Sequence, residues 1–182
     1  GEGNVVFSYE ESYGYMAGDY VRDKDAVTAA VLITAMTAHY LARGRTLLHV
    51  LEELYAKLGH YGEETVSLIM PGIDGLRDMR ALMAALRDTP PGEIAGTAVV
   101  SRRDYLPGIE YGADGERELR LRGSDVLCFH LDDGTEIFIR PSGTEPKIKI
   151  YVLAKGADAA ECSEKTRKYA AWAAALSEPK PG

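Results

Sequence analysis

The sequence predicts an α/β unit followed by an α+β domain in which an antiparallel sheet is covered by helices. Three observations carry that expectation. Between residues 25 and 88, behind a short β-branched opening run, apolar residues recur at helical spacing. After residue 125 they alternate with polar ones, the pattern of strands that bury one face. Between the two regimes lies "DTPPGEIAG", residues 88–96, whose prolines and glycines cannot continue a helix. The domain boundary is therefore expected there, with one domain over 1–91 and a second over 92–182.

Taken in order, Asn4 to Phe7 ("NVVF") reads as a short buried strand feeding a loop. Asp25 is the expected N-cap of a helix, "AVTAAVLITAMTAHYLA", that is apolar nearly all round. Val27, Val31, Ala35 and Ala38 share one face with Ile33 and Met36 beside it, so burial on most sides is expected. Thr46 caps a more amphipathic helix carrying Leu47, Leu48, Leu51, Leu54, Tyr55 and Leu58, and Gly59 stops it. A third helix follows "PGIDG", with Leu76, Met79, Leu82, Met83 and Leu86 on one stripe. In the second domain Leu127, Phe129 and Leu131 form the apolar face of one strand, and Ile137 and Ile139 that of the next. The turn "DDG" joins these two strands. Ile148, Ile150 and Val152 make a third such face. Asp158 then starts a last helix able to lay Cys162, Thr166, Tyr169, Ala173 and Leu176 against it.

Composition narrows the function classes. A hydrophobic share of 46% with 27% charged residues belongs to a globular chain rather than a disordered one. A net charge of −7 argues against nucleic acid, whose phosphate backbone is bound by clustered Lys and Arg. No run approaches the ~18 to 20 apolar residues of a membrane span, and the start has no secretory leader pattern. Cys128 and Cys162 read as buried thiols in a reducing compartment, with a single disulfide between them as the alternative. These features make a cytoplasmic location the expectation. His39, His49, His60 and His130 have no spacing that suggests a shared metal.

Two loops carry chemistry. "FSYEESYGYMAGDYVRDKDAV", residues 7–27, crowds Glu10, Glu11, Ser12, two glycines and the run Arg22-Asp23-Lys24-Asp25 into one connection. That density suits binding, a solvated acidic loop being the bland reading. "RPSGT", residues 140–144, supplies what phosphate recognition needs. Arg140 offers a guanidinium fork, Ser142 and Thr144 offer hydroxyls, and Gly143 lets backbone N–H groups approach an anion. Lys149, on the following strand, adds a positive rim. The alternative is a connecting turn with an incidental arginine.

Together "YEESYGYMAGDYVRDKDAV" and "LDDGTEIFIRPSGTEPKIKIY" resemble the α-D-phosphohexomutase family, in wording closest to its phosphoglucomutase branch. The resemblance implies four domains around a cleft, of which this chain is similar to the later part of the third and all of the fourth. It implies that Glu10 and Ser12 bind sugar hydroxyls and that Arg140, Ser142, Gly143 and Thr144 hold the substrate phosphate. Lys149 occupies a basic position of that site that is often arginine in the family. Lys24 resembles a lysine that assists proton transfer or contacts phosphate, with a helix-start ion pair to Asp23 or Asp25 as the alternative. The implied reaction interconverts 1- and 6-phosphosugars of the glucose or mannose type through a bisphosphorylated sugar. Neither a phosphoserine loop nor a D-x-D-x-D magnesium loop occurs in the sequence. Mg2+ is therefore expected in a full-length parent whose N-terminal domains supply its ligands, and this chain alone is expected to be inactive. A non-catalytic phosphosugar-binding or regulatory module, or a phosphopentomutase, is the alternative. A third domain lacking its earlier elements also implies an uncovered apolar helix prone to self-association.

Overall fold

The computed structural model describes residues 5–10 and 12–177. Asn4 and Glu11, to which the sequence assigns a strand start and an acidic loop position, lie outside the described residues. Packing divides the chain into two compact units, residues 1–57 and 58–182.

The first unit opens on a hairpin. Strand β1 (Phe7–Tyr9) pairs antiparallel with β2 (Tyr15–Ala17), Tyr9 opposite Tyr15. Helix α1 (Ala26–Leu41) starts where expected, because the Asp25 carboxylate accepts from Val27 N at 3.0 Å. Helix α2 (Leu47–Leu58) is capped reciprocally: His49 N donates to Thr46 Oγ1 at 3.3 Å, and Thr46 N to His49 Nδ1 at 3.2 Å. Gly59, at φ +96°, ends it in a conformation that favours glycine.

Two expectations fail here. The opening strand begins at Phe7, and it is not buried: Phe7 and Tyr9 are 46% and 75% exposed. No residue of α1 is buried either, Val27 and Val31 being 74% and 65% exposed. A helix apolar all round demands neighbours on every side, and one small hairpin with one further helix offers too little surface to cover it.

The second unit is a sheet with helices on one face. Its elements are β3 (His60–Ile69), α3 (Gly75–Asp88), β4 (Glu93–Ile94), β5 (Thr97–Asp104), β6 (Ile109–Gly112), β7 (Gly115–Glu118), β8 (Leu127–Leu131), β9 (Glu136–Pro141), β10 (Lys147–Gly156) and α4 (Ala159–Ala175). The strand order is β3-β10-β9-β8-β5-β6-β7, all antiparallel, with β4 paired to β5. Every predicted inward residue of β8, β9 and β10 is fully buried, from Leu127 to Val152. Met79, Met83 and Leu86 of α3 and Tyr169 and Ala173 of α4 complete the same core. Asp158 caps α4 by accepting from Glu161 N at 2.8 Å. Cys128 and Cys162 are buried free thiols, and burial pushes the Cys128 thiol up to about 12. No helix among the described residues is long and apolar enough to cross a membrane.

The division after Lys57 differs from the boundary expected at residues 91–92. Pro90, Pro91 and Gly92 do end α3, but the chain then turns straight into the β4–β5 hairpin through Ala95 and Gly96, both at positive φ. Because α3 shares its core with the sheet, the break in helical period is a turn inside one unit.

Candidate functional site

Each unit carries one of the two loops. In the first, Glu10 sits at the hairpin end, its N–H donating to Gly14 O at 3.0 Å. A Cβ on Gly14 would lie 2.5 Å from Glu10 Oε1 and 2.6 Å from Lys24 Cγ, so these two side chains close over bare backbone. Tyr13 adopts φ +64°, a conformation uncommon for a bulky residue, and is exposed beside exposed Ser12.

Lys24 joins the acidic groups. Its Nζ lies 3.2 Å from Asp23 Oδ1 and 3.6 Å from Glu10 Oε2. The hydrogen bond that Lys24 donates to Asp23, then the charges of Asp23 and Glu10, raise the Lys24 ammonium above its ordinary value. A lysine held charged is a hydrogen-bond donor and a positive point, and it is a poor proton acceptor near neutrality. Its ion pair is with Asp23 and Glu10, while Asp25 is engaged at the helix start with Val27, Thr28 and Tyr20.

In the second unit, "RPSGT" joins β9 to β10, and the strand register decides which side chains meet. Arg140 pairs with Lys149, and both lie on the sheet face opposite Ile139 and Ile150. Arg140, Pro141, Ser142, Glu145, Lys147 and Lys149 line an open cavity of about 200 Å3. The loop is held from both sides: Ser142 N donates to Lys147 O at 2.9 Å, and Met70 N to Pro146 O at 2.8 Å. Ser142 Oγ accepts from Thr144 N at 3.4 Å and from Glu145 N at 3.3 Å, folding the turn over its own hydroxyl. Gly143 and Thr144 are exposed and stand outside the cavity lining. A Cβ on Gly143 would meet nothing within 4 Å, so protein packing does not require glycine there.

The structure thus brings together Arg140, Ser142 and Lys149, and adds two residues that the sequence reading left out of the site. Lys147 and Glu145 face the same cavity, Lys147 Nζ standing 2.5 Å from Glu145 Oε2. The hydrogen bond from Lys147, with its charge, holds the Glu145 carboxyl below the usual carboxylate range. Their signal was present in "TEPK", where a carboxylate and an ammonium flank a proline that turns them toward each other. Three cationic side chains around one hydroxyl and one carboxylate form a cavity suited to an anion. Among the described residues, no group of three or more His, Cys, Asp or Glu could hold a metal ion.

Comparison with known proteins agrees with the two-part organisation. Residues 1–58 match "Phosphoglucomutase/phosphomannomutase, alpha/beta/alpha domain III", and residues 74–166 match "Phosphoglucomutase/phosphomannomutase, C-terminal domain". A phosphoglucomutase of Staphylococcus aureus strain bovine RF122 is 38% identical over 154 residues, which is 84% of this chain and 28% of the relative. That of strain N315 is 36% identical over 164 residues, 89% of this chain and 30% of the relative. The chain therefore spans about three tenths of the length of the curated relatives it matches. Among solved structures, the open form of parafusin, a Paramecium phosphoprotein described as a phosphoglucomutase, aligns over 94% of this chain and 31% of its own. Its TM-score is 0.51 at 16% identity, a likeness of fold.

Proposed function

The chain belongs to the phosphoglucomutase/phosphomannomutase family, and from that premise we propose that it is the substrate-gripping C-terminal part of a phosphohexomutase interconverting 1- and 6-phosphosugars. The observation that carries the proposal is the meeting of Arg140, Ser142, Lys147 and Lys149 on one small cavity. In the proposed cycle an enzyme phosphoserine gives its phosphoryl group to a sugar hydroxyl. The bisphosphorylated sugar then turns around and returns its other phosphoryl group to the serine. One phosphate must be held remotely while the opposite end reacts, which is a task for a fixed cationic loop. Binding energy from that remote phosphate positions the reacting end. Glu10 and Ser12 take the ring hydroxyls, a carboxylate being able to accept from two of them in either pose. Lys24, kept charged by its neighbours, serves as a donor to substrate oxygen. Magnesium belongs to the same proposal for the longer parent, which supplies its ligands, as does a cytoplasmic location. This chain's own share is binding and orientation.

Charge-assisted bonds from the loop contribute about 1.5 to 3 kcal/mol each, and association costs at least about 4 kcal/mol. The surplus corresponds to a dissociation constant on the order of millimolar. Glucose 6-phosphate titrated into the isotopically labelled 182-residue chain is expected to shift the amides of Ser142 to Glu145, with smaller shifts at Glu10 and Ser12. The chain alone is expected to show no conversion of glucose 1-phosphate in a coupled assay. Binding that survives Arg140→Ala, or turnover by the chain alone, would overturn the proposal.

A further inference from the structure

This inference rests on the phosphate-site reading and concerns what sets that site's strength. Glu145 puts a carboxylate in the lining of an otherwise cationic cavity, where it opposes any incoming anion. The same carboxylate already occupies Lys147, at 2.5 Å. The Ser142 hydroxyl oxygen occupies the N–H groups of Thr144 and Glu145 through bonds of 3.4 and 3.3 Å, at the long end of the range. The loop's donors thus have internal oxygen acceptors of the kind that a phosphate would present.

We propose that Glu145 is an internal stand-in for phosphate: a bound phosphate takes Lys147 from Glu145, so that Lys147 is a phosphate ligand and Glu145 sets the affinity. The two partners differ in freedom. Lys147 opens β10, where its backbone is pinned opposite Ile69, and its side chain is 29% exposed. Glu145 lies in the turn with a side chain 60% exposed, so its carboxylate can swing into water at small desolvation cost. A phosphate monoester carries up to about two negative charges near neutrality. It offers both charges to Arg140, Lys147 and Lys149 together in the one cavity, where Glu145 offers a single charge that is drawn first to Lys147. The exchange therefore favours a dianion held by several cations and disfavours a monoanion that would merely replace one carboxylate by another. Selection for the doubly charged phosphate follows.

The test is a double-mutant cycle on the 182-residue chain, titrated with inorganic phosphate at constant ionic strength and read from the amides of Thr144 and residue 145. Glu145→Gln is expected to tighten binding by about 3- to 10-fold, and the gain is expected to fall below about twofold in the Lys147→Met background. An equal gain in both backgrounds, or no gain, overturns the exchange while leaving the phosphate site standing, provided that Arg140→Ala abolishes binding. Binding untouched by Arg140→Ala places the anion elsewhere and overturns both readings. Silence from both the wild-type and the Glu145→Gln chains overturns both as well.

Discussion

At the scale of single residues, Gly75 connects the core to the β9–β10 loop. A Cβ there would sit 2.1 Å from Met70 O and 3.0 Å from Pro146 Cβ. Met70 is the residue whose N–H holds the loop through Pro146 O. Gly75→Ala must therefore push α3 away from a backbone carbonyl. It is expected to lower unfolding stability in urea by about 1 to 3 kcal/mol and to weaken phosphate binding, because the loop's anchor moves with Met70. Stability and binding both equal to wild type would show that the neighbourhood yields without cost. Nothing in the sequence marks Gly75, since one glycine before a helix looks like any other. Arg140's place on the cavity lining agrees with the expectation drawn from its chemistry and its neighbours in "RPSGT". The Lys147–Glu145 contact depends on a side-chain approach across a turn, and spacing alone does not fix such a contact.

At the scale of elements, α4 shows how a helix is fastened to a sheet. Its buried side contributes Cys162, Thr166, Tyr169 and Ala173. Gly62 of β3 leaves room for Thr166 Oγ1, which would lie 2.6 Å from a Cβ at that position. Tyr169 is fully buried, and its hydroxyl donates at 2.7 Å to Asp133 in the β8–β9 turn and lies 2.8 Å from Thr97 Oγ1 on β5. Tyr169→Phe keeps the ring and removes the hydroxyl, leaving the Asp133 carboxylate short of a donor. A loss of about 1 to 3 kcal/mol in chemical denaturation is expected, and a loss below about 0.5 kcal/mol would assign the helix's hold to packing alone. The strands facing α3 and α4 were readable because β8, β9 and β10 bury every second residue. Strand β3 offers few apolar side chains on its inner face, since Gly62 and Glu64 take positions there beside Val66 and Leu68. Strand β5 breaks period at a bulge between Val99 and Ser101. Strands β6 and β7 are held by ion pairs: Arg103 and Arg117 bind Glu110, whose carboxyl lies below its usual range chiefly through Arg117. Hydrophobic period cannot detect strands of that kind.

At the scale of the whole molecule, the two units differ in how their backbones are protected. Helices α1 and α2 bury no residue, whereas β8, β9 and β10 run through a closed core. Native-state hydrogen exchange is expected to release α1 and α2 amides through small local openings, and those of Phe129, Ile139 and Ile150 only on global unfolding of their unit. Equal protection in the two sets would mean that α1 is covered in solution, as by a second copy. The family assignment was legible from two loops because binding chemistry constrains residue types, while the extent of each unit was not, because Pro90, Pro91 and Gly92 signal a turn and not what the turn separates. The sheet's two borders have a consequence for handling the protein. Strand β7 is four residues long, fully exposed and charged at Glu116, Arg117 and Glu118, and the other border, β3, carries exposed carboxylates on both faces, Glu63 on the outer and Glu64 on the inner. Borders so short or so charged do not template edge-to-edge polymerisation. Helix α1 instead presents exposed apolar side chains, Val27 and Val31 among them, so a solubilising redesign is expected to gain more from those two positions than from the sheet's borders.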